Sequence, residues 1–235
     1  MTSKKSGAPS VKKIAEMVGQ PAASLTGIEA LLFPLTQYFD PHYHGIEKVP
    51  AGKPTMLVAN HSVWSIADML LPYGIRKHFD RHVRPLGDRM HFNPVVPQRA
   101  LFEKFGVVLG APSVVRTLMA DDQDIFVFPG GAREVLKRHV EKYTLQWKKR
   151  LDFIKLALEG GYSITPVGVS GGDDIFDILL DAGHFLQTPL GKFLSTNTIA
   201  RKCSGVVRRS RNFCVDLAFL LCRVRNSFIL CSVNR

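Results

Sequence analysis

The sequence predicts an α/β domain: a mostly parallel central sheet flanked by helices, with a helical N-terminal region. Three observations predict it. Apolar runs of strand length recur from residue 55 onward, and segments of helical spacing lie between them. At 235 residues and 46% hydrophobic, the chain is also long enough for one substantial core, and two domains are not required.

Each element follows in order. The first ten residues are polar and are expected to lack fixed structure. Helical patterns follow near 11–19 and 27–39, the second read as interrupted at Pro34. The strands expected are TMLVA (55–59), VRPLG (83–87), GVVLG (106–110), DIFVF (124–128) and SITPVGV (163–169). Between the first two strands, SVWSIADMLLPYGI is apolar on more than one side, as a buried helix would be. RLDFIKLALEGG sets Leu151, Ile154 and Leu158 at helical spacing and ends on glycines. DDIFDILLDAG opens with two acids suited to a helix N-terminus and closes on glycine. No internal repeat or low-complexity tract is present.

Charge and cysteine both break near residue 200. The net charge is +11, but residues 201–235 hold eight Lys/Arg against the single acid Asp216, so they carry +7 and the first 200 only +4. Cys203, Cys214, Cys222 and Cys231 are the four cysteines, spaced 11, 8 and 9 apart, which matches no zinc or CxxC pattern. The body before residue 200 therefore has no thiol to act as nucleophile. The expected organisation is an N-terminal polar and membrane-leaning segment (1–37), an α/β domain (38–200) and a basic tail (201–235). The tail lacks a clear period and reads as a truncated or replaced C-terminal part, with a basic amphipathic anchor as the alternative.

No run reaches the roughly 18 apolar residues that cross a bilayer. GIEALLFPLTQYF (27–39) is too short to span but suits an interfacial position as well as packing on its own core. The basic run KRHVEKYTLQWKKR (137–150) carries no RNA- or DNA-binding signature, so a solvated face or one near anionic headgroups is expected, and nucleic acid is not. His42 and His44 form an HxH without a convergent third ligand, which reads as a loop pair rather than a metal site. Trp64 and Trp147 read as core or interface aromatics.

Two stretches carry chemistry. In LVANHSVWSIAD (57–68) an apolar run stops at Asn60 and His61, and Asp68 follows. His61 and Asp68 are either a base and its orienter or a polar boundary between strand and helix. In an unbroken helix, residues seven apart lie about 10 Å apart along the axis, too far for a hydrogen bond. The pair therefore requires a turn over 61–64 and a helix starting near Ser65, a reasonable N-cap. In DIFVFPGGAREV (124–135) a strand runs into Pro129, Gly130 and Gly131, then Arg133 and Glu134. Such a turn lets backbone N–H groups approach an oxygen-rich ligand, with Arg133 adding a charged fork. The plain alternative is a strand-to-helix turn with a surface ion pair.

Together, LVANHSVWSIAD, FVFPGGAREV and KYTLQWKKRLDFIKLALEGGYSITPVGVSGGDD resemble the membrane-associated glycerolipid acyltransferases over roughly residues 38–185. The likeness is strongest to the branch of diacylglycerol acyltransferase and phytyl ester synthase-like proteins. The family motif is usually His-x4-Asp; here position 66 is Ile and the acid is Asp68, giving His-x6-Asp. Much of the superfamily also has Glu where this chain has Gly130.

The resemblance implies acyl transfer from acyl-CoA, as co-substrate, to the hydroxyl of a glycerolipid or long-chain alcohol, with no metal and no other cofactor. It gives His61 the general base and Asp68 the orienter. It gives substrate binding to Pro129, Gly130, Gly131, Arg133 and Glu134. It also implies a peripheral position on the cytosolic face of the endoplasmic reticulum. Two alternatives stand beside it. One is a catalytically silent lipid-binding member. The other is a serine esterase built on Ser170, since GVSGG satisfies G-x-S-x-G, although His184, the single histidine downstream, lies only 14 residues on.

Overall fold

The computed structural model describes residues 16, 18, 19, 24–62, 65–92, 99–135, 137–147, 149–174, 176, 177, 189, 223, 224 and 229–231. Its centre is a sheet of β1 (Thr55–Ala59), β2 (Val83–Gly87), β3 (Val108–Leu109), β4 (Asp124–Val127) and β5 (Ser163–Ser170). These strands are mutually parallel in the order β3-β2-β4-β1-β5. The predicted fold class is therefore the observed one. All five residues of β1 are buried because the strand is covered on both faces, which is why it reads as a continuous apolar run.

Alternation along the strands sorts the core into two halves. Leu57, Ala59 and Phe126 face one side, where α1 (Leu25–Phe39) and α2 (Ile66–Phe79) pack through Ile28, Leu32, Leu70 and Ile75. Met56, Val58 and Ile125 face the other, covered by α4 (Pro112–Ala120) and α6 (Asp152–Gly160), which follow the short α3 (Arg99–Lys104) and α5 (Ala132–Val135) in the chain. Leu57 and Phe126 are fully buried, each contributing about 1.5–3 kcal/mol.

Several expectations change. Pro34 does not interrupt the helix expected at 27–39: α1 runs through it, capped by Ser24, whose Oγ accepts from Gly27 N–H at 3.2 Å. The inward stripe of α1 belongs to the core, while Leu31, Phe33 and Tyr38 stay exposed. In α6 the expected stripe fails, since Leu158 is exposed and Leu156 and Ala157 are buried instead. Spacing alone did not identify which face meets the sheet. DDIFDILLDAG does not begin as a helix: Asp173 and Asp174 lie in a turn, and β6 (Phe176–Asp177) pairs antiparallel with β7 (Arg223–Val224). The rest of that stretch, His184 and Trp64 lie outside the described residues, as does most of 11–19, of which 16, 18 and 19 are helical. Most of 201–235 is likewise outside them, but β8 (Ile229–Cys231) adds an antiparallel strand against Gly168–Ser170.

Candidate active site

Sheet order decides what meets what. β4 is inserted beside β1, with Val58 opposite Val127. Three residues beyond each lie His61 and Gly130, so both corners leave the C-terminal edge of the sheet at the same level. On the other flank Ala59 lies opposite Val167, which brings the turn after β5 to the same edge. Asn60 extends the ladder where the strand ends: its Nδ2 donates to Val169 O at 2.9 Å, and its Oδ1 accepts from Val169 N–H at 2.7 Å.

The chain then reverses. Ser65 N–H donates to Ser62 O at 3.1 Å, and Ser65 sits in the left-handed region (φ 57°) at the N-cap of α2. Its side chain makes no cap bond, contrary to expectation; its backbone makes the turn instead. This reversal folds the seven-residue separation back on itself. His61 Nδ1 and Asp68 Oδ2 are 2.5 Å apart. Asp68 is 2% exposed, and its Oδ1 takes Ser62 N–H and Ser62 Oγ, each at 3.2 Å. A carboxylate in the first turn of a helix is also favoured by the helix dipole. The His61 ring stacks on Phe128, centroids 4.3 Å apart and planes 17° from parallel, so one face is covered by an apolar group.

The glycine turn is built differently from the expectation of substrate contacts. Pro129 and Gly130 are buried, and Glu134 is 0% exposed. Its carboxylate accepts from His61 N–H (3.0 Å), Gln146 N–H (3.2 Å) and Trp147 Nε1–H (3.3 Å). Glu134 is thus turned into the protein rather than toward a ligand. Arg133, expected to bind substrate, is paired with Glu141, which also accepts from Arg138 Nη2 at 2.7 Å. Burial raises the Glu141 carboxyl, but hydrogen bonds from Arg138 and Arg133 outweigh it and bring it down to about 2. Arg150 donates to the carbonyls of Pro129 (3.2 Å) and Gly130. Gly131 takes φ 52°, in the left-handed region that favours glycine at the turn.

Sequence reasoning missed several residues. His91, in a 3-10 turn after β2, stands close enough to feel His61. Burial lowers its pKa most, Asp88 opposes that, and His61 adds to the lowering. Lys137 is no part of a solvated basic face: it is 3% exposed and paired with Asp173 at 2.9 and 3.1 Å. Neither has a motif, because both depend on residues far away in the chain. Ser170 does not form a nucleophile elbow. It continues β5, opposite Ile229, and positive φ begins at Gly171 (76°). His42 is exposed and bonds Asp40 at 3.3 Å; among the described residues no three His, Cys, Asp or Glu converge as metal ligands.

A hollow of about 700 Å³ lined by Lys53, Arg81, His82, Arg84, Asp122 and Asp124 opens at the opposite edge of the sheet. It lies at the other end of β1 from His61, and so is no part of this site.

A buried carboxylate aligning an imidazole at a parallel sheet's C-terminal edge, beside a glycine turn, suits proton abstraction from a hydroxyl. Residues 40–170 match the family described as Acyltransferase, more than half of the chain, and the chain belongs to that family. It is 29% identical over 171 residues to phytyl ester synthase 2, chloroplastic, of Arabidopsis thaliana, covering 69% of this chain and 24% of that one. It is 26% identical over 125 residues to the bovine (Bos taurus) DGAT1/2-independent enzyme synthesizing storage lipids, covering 53% of this chain and 36% of that one. The crystal structure of the 1-acyl-sn-glycerophosphate (LPA) acyltransferase PlsC from Thermotoga maritima aligns over 64% of this chain and 59% of that one, with a TM-score of 0.48 and 19% identity. The chain spans about a quarter of the length of the plant enzyme.

Proposed function

We propose that this chain transfers a fatty acyl group from acyl-CoA to the hydroxyl of an uncharged lipid alcohol, a long-chain alcohol or a diacylglycerol. The observation that carries the reading is the 2.5 Å contact between His61 Nδ1 and buried Asp68. With Nδ1–H held by the carboxylate, Nε2 carries the free lone pair. Nε2 takes the alcohol proton as the alkoxide oxygen attacks the thioester carbonyl, and returns it to the departing CoA thiolate as the carbon–sulfur bond breaks. Asp68 stabilises the imidazolium between the two steps, and no acyl-enzyme is needed.

An uncharged acceptor agrees with the glycine corner. There Arg133 pairs with Glu141 and Arg150 donates to main-chain carbonyls, so donors of both are already engaged by the protein rather than forked together toward a phosphomonoester. The plant relative is named for phytyl esters, which are esters of such an alcohol. Contact with a membrane is assigned to α1, whose outer face presents Leu31, Phe33 and Tyr38. Among the described residues no helix is long and apolar enough to cross a bilayer.

The test is thiol release from palmitoyl-CoA by the purified chain, with phytol or diacylglycerol in lipid vesicles, alongside His61→Ala. The variant should fold and lose turnover by about 10²–10⁴-fold or more. Parent-like turnover in it ends the proposal. Replacing the donor with palmitoyl-acyl carrier protein identifies the carrier.

A further inference from the structure

Glu134 needs an explanation that substrate binding does not give. It is a fully buried carboxylate, and burying one is costly unless its oxygens are satisfied. The three donors come from two separate segments: His61 at the end of β1, and Gln146 and Trp147 on the far arm of the loop leaving α5. Two of the three are main-chain N–H groups, so the carboxylate fixes backbone.

Gly130 shows how tightly that carboxylate is seated. A Cβ at position 130 would lie 2.1 Å from Glu134 Oε2, 2.4 Å from its Cβ and 2.5 Å from its Cδ. The three nearest atoms all belong to Glu134. The backbone of Gly130 lies outside the left-handed region that Gly131 occupies, so its lack of a side chain serves space rather than conformation. The loop is pinned on its other side, where Asp173 takes buried Lys137 and accepts from Tyr143 N–H at 2.7 Å. The neighbouring Gly172 packs against Ser62, which holds Asp68.

We propose that Glu134 is a positioning residue: its carboxylate sets the main chain of His61 and ties the 137–147 loop to it, and Gly130 is glycine to admit it. The proposal rests on the reading of His61 as general base. A shift of about 1 Å in such a base costs on the order of 10²-fold in rate. Glu134→Gln can keep its oxygen on the His61 and Trp147 donors only by turning its NH2 to the Gln146 N–H. In the other orientation the NH2 faces the His61 N–H, so in either case one anchor of the tie between His61 and the loop is lost.

The thiol-release assay with palmitoyl-CoA and phytol vesicles tests this on the full chain. Glu134→Gln and Gly130→Ala should each lower kcat about 10²-fold with KM changed less than about threefold. Gly130→Ala added to Glu134→Gly should cost far less than Gly130→Ala alone, because the three atoms nearest the added methyl, Glu134 Cβ among them, are then gone. If Glu134→Gln does not fold, Gly130→Ala carries the same comparison with the carboxylate retained. Kcat within about threefold of the parent in the folded variants, or full additivity in the double variant, overturns the proposal. His61→Ala separates the two levels: if it is inactive while Glu134→Gln is parent-like, the positioning role falls and the base stands.

Discussion

Asp68→Asn tests the site at one atom with almost no change in shape. Asp68 receives His61 Nδ1 on Oδ2 and both Ser62 donors on Oδ1. Asn offers one oxygen and one NH2, and its two orientations are unequal. With NH2 toward His61, the Ser62 N–H keeps its acceptor, but Nδ1 must now accept, and the ring proton moves to Nε2. That tautomer cannot take a proton from an alcohol. With the oxygen toward His61, the amide NH2 faces the Ser62 N–H, and a buried donor is stranded at about 1–3 kcal/mol. The inactive orientation is therefore favoured by about 5- to 150-fold. The loss of imidazolium stabilisation multiplies this, so kcat should fall about 10²–10⁴-fold, the upper end being the loss seen when a hydrolase triad holds the wrong tautomer. KM and melting temperature should barely move, because volume and packing are kept. The assay is thiol release with parent, Asp68→Asn and His61→Ala side by side. Kcat within about fivefold of the parent in Asp68→Asn, with His61→Ala inactive, would refute the tautomer argument.

Three further outcomes follow from the same geometry. Burial, then Arg84 and Arg76, lower His82 from 6.5 to about 4, so the unfolded chain takes up this proton first and stability is lost as pH falls from 6.5 toward 4. That group should contribute about 2–3 kcal/mol to the difference between urea unfolding at pH 7 and at pH 4.5, and an equal slope in His82→Gln removes it as the cause. Gly172→Ala would set a methyl 2.8 Å from Ser62 Cβ and 3.1 Å from its Cα, costing about 1–3 kcal/mol and lowering kcat by displacing the residue that holds Asp68. A parent-like melting temperature and rate there would contradict the packing. Ser170→Ala should leave transfer intact and a fluorophosphonate probe should not label Ser170; loss of transfer, or labelling, would revive a serine mechanism.

Much of the scaffold was legible. TMLVA and VRPLG are strands with the boundaries their composition marks, and DIFVF and SITPVGV differ by one residue each. Buried parallel strands are short apolar runs bounded by polar residues, a local signal. GVVLG shrank to Val108–Leu109, since its ends are a glycine at φ 71° and a turn. The α6 stripe failed for a different reason: a nine-residue helix has too few turns for spacing to single out its buried face. In the candidate site, His61, Asp68 and the glycine turn were visible as residue types at strand ends. Asn60 also looked like a boundary, and its amide closes the ladder onto β5.

What the sequence alone determined is the set of elements and the polar residues left at their ends, because burial on both faces and the glycine turns act through neighbours in the chain. The tertiary structure decided the rest. Insertion of β4 beside β1 brings His61 level with Gly130, and only that adjacency turns the side chain of Glu134 inward to the His61 main chain. Strand order and register are set by pairing between residues 22 to 108 positions apart, and no local propensity encodes them.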